Sequence, residues 1–151
     1  MANTNYKQGL YKLKNPKKYK GDPYNVVYRS SWELRAFKWL DNNPHVIEWG
    51  SEELAVPYIS PIDNKNHRYF PDLIVKVKKF DGNIVTYMIE IKPYAQTVEP
   101  KPKKRVTKGY INEVCTWGIN NAKWEAAALY CNHRGWEFKL LTERELFNKS
   151  S

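Results

Sequence analysis

Two carboxylates and an amine stand out in the stretch YFPDLIVKVKKFDGNIVTYMIEIKP, residues 69–93. Asp72 follows Pro71, and Glu90 and Lys92 flank Ile91 at the far end. Hard oxygen donors of this kind suit Mg²⁺, which prefers six oxygens, keeps several waters and is held by one or two carboxylates plus substrate phosphate. With Asp72 and Glu90 as ligands and the Ile91 backbone carbonyl as a third donor, such an ion would lower the pKa of a water and polarise a phosphoryl group. Lys92 would orient that water or stabilise charge growing on phosphate oxygens. The same residues also fit a purely structural role, in which Asp72 opens a strand and Glu90 pairs with Lys92 or Lys76 on a solvated face.

Whether the three side chains meet depends on how the segment folds as a β-hairpin. Leu73, Val75 and Val77 make an apolar row on the first strand, and Val85, Tyr87, Ile89 and Ile91 make one on the second. Opposed residues of an antiparallel pair share a face. Burying both rows together sets Leu73 opposite Ile91, Val75 opposite Ile89 and Val77 opposite Tyr87, or a register slipped by an even number. Asp72 then lies opposite Lys92 and diagonal to Glu90, on the face away from that core and within reach of a shared ion. The same register puts Phe80 opposite Ile84 around a three-residue Asp81-Gly82-Asn83 loop or a bulge. A plain two-residue turn would send Asp72 and Glu90 to opposite faces.

The surrounding chain supplies the elements that position this hairpin. Residues 1–28 are basic, interrupted by Pro16, Gly21 and Pro23, and read as an irregular arm. A helix follows, with Ser30 as N-cap, Glu33 three residues on, an inward stripe of Trp32, Ala36, Trp39 and Leu40, and a stop at Asn42-Asn43-Pro44. Two short extended runs occupy 45–60. Beyond the hairpin, residues 94–109 form a basic, Pro-rich loop. A long helix then carries Val114, Trp117, Trp124, Ala128 and Cys131 on one face and ends at Gly135. WEFKLL is a last strand, and Thr142 with Glu145 caps a short final helix. This pattern is that of a single α/β domain, spanning 29–151, with helices covering a mixed sheet.

The 151 residues carry 25 Lys and Arg against 16 Asp and Glu, a formal charge of +9 that favours a polyanionic partner, nucleic acid or an anionic membrane surface. No apolar run approaches a signal peptide or a bilayer span, which predicts a soluble, non-secreted chain without a membrane partner. Cys115 and Cys131 fall in one predicted helix about 24 Å apart, too far for a disulfide, and read as thiols. The three His share no zinc-ligand spacing.

The order Pro71-Asp72, then Glu90-Ile91-Lys92, resembles the PD-(D/E)xK nuclease superfamily. With RSSWELRAFKWLDNNPHVIEW, EELAVPY, RYFPDLIV, MIEIKP and NNAKWEAAALYCNHRGWEFKLLTERELF, residues 28–147 are similar to the head completion nucleases of T4-like tailed phages and, more distantly, to TnsA-type transposon endonucleases. The resemblance implies a restriction-endonuclease-like fold and a Mg²⁺-dependent DNA endonuclease, with Mn²⁺ as a substitute. It implies action in finishing DNA-filled heads, in the cytoplasm of the infected bacterium or on the virion, with head or portal proteins as further partners. A Glu on the helix before the sheet joins the metal site in such enzymes, and Glu33 matches it; a capping box explains the same Glu. Asp72, Glu90 and Lys92 match the remaining catalytic positions.

Lys17, Lys18 and Lys20 in the arm, and Lys101, Lys103, Lys104, Arg105 and Lys108 in the loop, are candidate phosphate contacts; a solvated loop or a protein-docking arm fits them too. The resemblance adds Lys123, and beside it Asn120, on the polar side of the long helix, where related nucleases place a further active-site or DNA contact. Tyr69 reads either as a substrate contact or as core. The rival to an enzyme is a silent virion protein that uses the same fold to grip the packaged DNA end or portal vertex. A nuclease of transposition or repair is a third possibility.

Overall fold

A computed structural model describes residues 8–147; residues 1–7 of the expected arm and 148–151 at the other end lie outside that range. The elements are β1 (Gly9–Leu10), a 3-10 turn (Pro16–Lys18), β2 (Val27–Tyr28), α1 (Ser31–Asn42), β3 (Val46–Ser51), β4 (Val56–Ile59) and β5 (Asn66–Tyr69). They continue through β6 (Leu73–Lys78), β7 (Ile84–Ile91), a second 3-10 turn (Tyr94–Thr97), α2 (Lys108–Arg134), β8 (Glu137–Leu141) and α3 (Glu143–Leu146). The central sheet has the order β3-β6-β7-β8. Its first three strands are antiparallel, and β8 joins parallel to β7 after the α2 crossover. This is the mixed, helix-flanked α/β core expected from the sequence. The ribbon β4–β5 stands apart as its own two-stranded sheet, as does β1–β2.

The hairpin register keeps the expected parity but is slipped by two. Leu73 pairs with Ile89, Val75 with Tyr87 and Val77 with Val85. The loop has three residues, Phe80-Asp81-Gly82, because Gly82 supplies the left-handed φ of +88° at the third position. Lys79 N donates to Asn83 O at 2.8 Å, and Asp81 Oδ1 accepts from Asn83 N at 2.9 Å. Phe80 is left in solvent instead of pairing with Ile84. Carried one residue further, this register sets Asp72 across from Glu90, and not from Lys92.

Each face of the sheet has its own core. On the α1 side, Phe37, Leu40, Val46, Trp49, Leu73, Val75 and Ile89 pack together, joined by Tyr19 and Val26 from the N-terminal segment. On the α2 side, Met88 packs with Val56, Tyr58, Tyr69, Trp124, Ala127 and Cys131. The face bearing Asp72 and Glu90 is therefore covered, contrary to the expectation of an uncovered side. Alternation along β7 fixes which residues share a face; it does not reveal that Met88 and Ile74 interrupt the charges with enough apolar surface to seat a helix.

Both helices bury stripes rotated from those expected. In α1 the buried residues are Ala36, Phe37, Leu40 and Asp41, while Trp39 is 59% exposed. Asp41 accepts hydrogen bonds from Tyr11 OH (2.7 Å) and from the backbone N–H of Lys14 (2.8 Å) and Asn15 (3.0 Å), which fasten the N-terminal segment to the helix. In α2 the buried residues are Asn120, Trp124, Ala127 and Cys131, and Val114 and Ala128 face solvent. Gly135 ends α2 with φ +70°, and Trp136 N returns to Cys131 O at 2.8 Å. Both cysteines are free, Cys131 buried and Cys115 half-buried. Among the described residues, no helix is long and apolar enough to cross a membrane.

Candidate active site

Four elements converge on one acidic cluster. Asp72 enters from the link after β5, Glu90 and Lys92 from the end of β7, and Glu33 from the first turn of α1, where its backbone N–H is capped by Ser30 Oγ at 3.1 Å. The fourth contribution, Glu52, comes from the end of β3. Its backbone is left-handed (φ +54°), and its N–H donates to the Asp72 carbonyl at 3.1 Å. Carboxylate oxygens of Glu33, Glu52 and Asp72 all lie within 4.8 Å of one another.

Every acid in the cluster is held by a specific partner. Asp72 Oδ2 accepts the Ile91 backbone N–H at 2.8 Å, so the Ile91 peptide is at the site through its nitrogen. Glu90 is 6% exposed; its Oε1 accepts from Tyr69 OH at 2.7 Å, and its Oε2 is 3.5 Å from Lys92 Nζ. Glu33 Oε1 accepts from Arg29 N at 3.0 Å. Arg29 also forms an ion pair with Glu52. Lys123 Nζ lies 5.7 Å from the centre of the Tyr69 ring, and its charge favours the ionised form of Glu90.

Burial raises Asp72, Glu90 and Glu33 together. Asp72 is pushed up to about 8, first by burial and next by Glu90, against the opposing hydrogen bond from Ile91 N–H. Burial also raises Glu90, opposed by Tyr69 and Lys92, and Glu33, opposed by the Arg29 N–H. The Tyr69 phenol is raised as well, by burial and then by Glu90, so it remains a neutral donor. Crowded carboxylates whose ionised forms are disfavoured without a counter-charge are ones a divalent cation would stabilise, and hard oxygens in this number fit such an ion.

The structure thus brings Glu33, Asp72, Glu90 and Lys92 together, with Lys123 alongside. It does not bring the arm lysines to them. Lys18 Nζ bonds to the carbonyls of Asp41 (3.1 Å) and Asn43 (2.7 Å) at the end of α1 opposite Glu33, and Lys17 neighbours it. Lys20 pairs with Glu48 at 3.7 Å. Lys101, Lys103, Lys104, Arg105 and Lys108 are all exposed on the segment that runs from Lys92 into α2.

Three participants escape the sequence pattern. Nothing in the spacing marks Glu52 or Arg29, since their meeting depends on the turn after β3. Tyr69 offered a signal, an aromatic three residues before Asp72; it proves to be both 4% exposed core and the hydrogen-bond donor to Glu90.

Residues 43–143 match the family described as TnsA-like endonuclease N terminal, and the chain belongs to that family. The match takes in Glu52, Asp72, Glu90 and Lys92 and begins after Glu33. The chain is also 42% identical over 139 residues to the head completion nuclease of Enterobacteria phage T4, covering 89% of this chain and 90% of that protein. No solved structure matches.

Proposed function

We propose that the chain is a divalent-metal-dependent DNA endonuclease acting in completion of DNA-filled phage heads. The observation that carries the reading is the meeting of the half-buried Glu33, Glu52 and Asp72 carboxylates, with the Glu90–Lys92 pair at the end of β7, in a chain of the TnsA-like endonuclease family. Asp72 and Glu90 are the metal ligands, with Glu33 and Glu52 closing the acidic side. Mg²⁺ is the expected ion and Mn²⁺ its substitute; when bound, it activates water and stabilises phosphate charge. Lys92 donates to the attacking water or to a phosphate oxygen, and its pairing with Glu90 fixes where that donor points. The Tyr69 hydrogen bond favours the ionised form of Glu90, against the burial that raises it. Lys101, Lys103, Lys104, Arg105 and Lys108 offer sequence-independent phosphate contacts beside the site, and Lys123 offers another from α2. The name of the T4 relative, a head completion nuclease, supports this role; we expect head or portal proteins as protein partners and the infected host cytoplasm or the virion as the location.

The test is cleavage of supercoiled and linear DNA by wild type, Asp72→Ala and Lys92→Ala in Mg²⁺, Mn²⁺ or EDTA. Metal-dependent cutting should fall at least about a hundredfold in both variants. Wild-type protein that binds DNA without cutting it, under conditions where its fold is intact, would instead favour a silent structural protein.

A further inference from the structure

Where the chain continues past Lys92 and Pro93, a groove of about 250 Å³ opens between that segment and the first half of α2. Gln96 lies on one wall, and Asn112, Thr116, Trp117 and Asn120 line the other at helical spacing. Asn120 stands three residues before Lys123 and so shares a helix face with the residue that reaches Tyr69.

Asn120 is the unusual residue. It lines the groove and is only 6% exposed, and its amide, which keeps some contact with solvent, makes no hydrogen bond to another described residue. Its neighbour Asn121 behaves ordinarily and donates to the Trp117 carbonyl at 2.8 Å. An amide offers two donors and an acceptor with two lone pairs, and buried amides seldom go unpartnered without a ligand or ordered water. The groove is smaller than pockets that hold drug-sized molecules. Its neutral polar side chains are the Gln96, Asn112 and Asn120 amides and the Thr116 hydroxyl, each both donor and acceptor, and its one acid, Glu113, is 3.7 Å from Lys103. Such a lining suits a flat, neutral, polar group better than a phosphate, with the basic loop available for the attached backbone.

We propose that this groove takes one unpaired nucleobase of the substrate strand next to the scissile phosphate. Asn120 supplies hydrogen bonds to the base edge, and the Trp117 indole supplies an apolar wall. The proposal rests on the nuclease reading and adds to it a substrate class: DNA with a splayed nucleotide at an end or branch, in preference to uninterrupted duplex.

The experiment measures binding by fluorescence anisotropy in a Lys92→Ala background, so that cleavage does not interfere. The probes are a short blunt duplex, the same duplex with a single-stranded overhang, and the same overhang made abasic, which keeps the phosphates and removes the bases. The base-bearing overhang should bind at least about fivefold tighter than the abasic one. Asn120→Ala should bring that ratio close to one by weakening the base-bearing overhang down to the level of the abasic one. Asn112→Trp, a substitution at an exposed position that fills the groove mouth, should do the same and guards against a folding defect at the buried site; melting temperatures verify both. Equal affinity for the two overhangs, or a ratio that survives both substitutions, overturns the proposal. The wild-type cleavage assay is read separately: a silent protein that still prefers base-bearing overhangs overturns only the nuclease reading, and an active enzyme without that preference overturns only the groove.

Discussion

The hydroxyl of Tyr69 donates a 2.7 Å hydrogen bond to Oε1 of Glu90, joining the end of β5 to the end of β7 across the buried side of the site. The bond favours the ionised form of a carboxylate that is 6% exposed, against the burial that still raises it overall. Lys92 works in the same direction on the other oxygen, at 3.5 Å. Two neighbours from different elements thus oppose the effect of burial on Glu90.

Tyr69→Phe keeps the ring in its core and removes only that donor. Hydrogen bonds to charged groups contribute about 1.5–3 kcal/mol, so the Glu90 carboxyl should move further up and hold its proton against an incoming ion. Mn²⁺ affinity at neutral pH should fall about tenfold, and raising the pH should recover part of the loss. Isothermal titration calorimetry across pH checks this; an affinity unchanged by the substitution would remove Tyr69 from the site.

Without metal, stability should fall as pH rises. Asp72, Glu90 and Glu33 all bind protons more tightly folded than unfolded. Their contribution is therefore fully present below the ordinary carboxylate range near pH 4, and for Asp72 it is lost as pH rises through about 8. In EDTA the melting temperature of wild type should drop between pH 5 and pH 8 more than that of Asp72→Asn, which cannot ionise. At pH 8 the variant should be the more stable protein, by several degrees at roughly 2–4 °C per kcal/mol for a chain of this size. Saturating Mg²⁺ should reverse the order, because only wild type gains from binding. Parallel melting profiles in EDTA would contradict the raised Asp72.

The sequence carried the site's parity but not its environment. Alternation in Leu73–Val77 and Val85–Ile91 was enough to put Asp72, Glu90 and Lys92 on one face, and an even slip in register preserved that result. The slip itself turned on Gly82, whose positive φ places the loop one residue earlier than hydrophobic pairing alone suggested. Ser30, Thr142 and Gly135 announced helix ends because capping is local chemistry. Cover over the acidic face was illegible: α2 seats there through Trp124, Ala127 and Cys131, contacts distant in sequence from Met88. Glu52 and Arg29 were hidden for the same reason, since a turn after β3 and a residue before α1 meet only in the folded chain.

Arg29 should compete with the metal. Its guanidinium pairs with Glu52, whose oxygens share the cluster with Glu33 and Asp72. Replacing the guanidinium with a neutral side chain in Arg29→Gln frees Glu52, so Mn²⁺ affinity should rise several-fold. Glu52→Gln should lower it by about tenfold, the scale on which a group supporting a metal site acts. Calorimetric titrations of the two variants test this pair of opposite signs, and equal affinities in both would exclude Glu52 from the ion's surroundings.

The basic loop and the basic N-terminal segment should separate by salt dependence. Each phosphate neutralised on duplex DNA contributes about −0.9 to the slope of log affinity against log salt. Substituting Lys101, Lys103, Lys104 and Arg105 together by Ala should therefore flatten that slope by up to about 3–4 if all four reach phosphate. Lys17→Ala should leave the slope alone. Lys18→Ala should act on stability instead, since its ammonium serves the carbonyls of Asp41 and Asn43 at the C-terminal end of α1, an interaction of about 0.3–1 kcal/mol. Binding titrations across a salt series distinguish the two regions. A slope insensitive to the loop but reduced by Lys17→Ala would route the DNA past the far end of α1, away from Glu33, and the phosphate contacts would have to be reassigned.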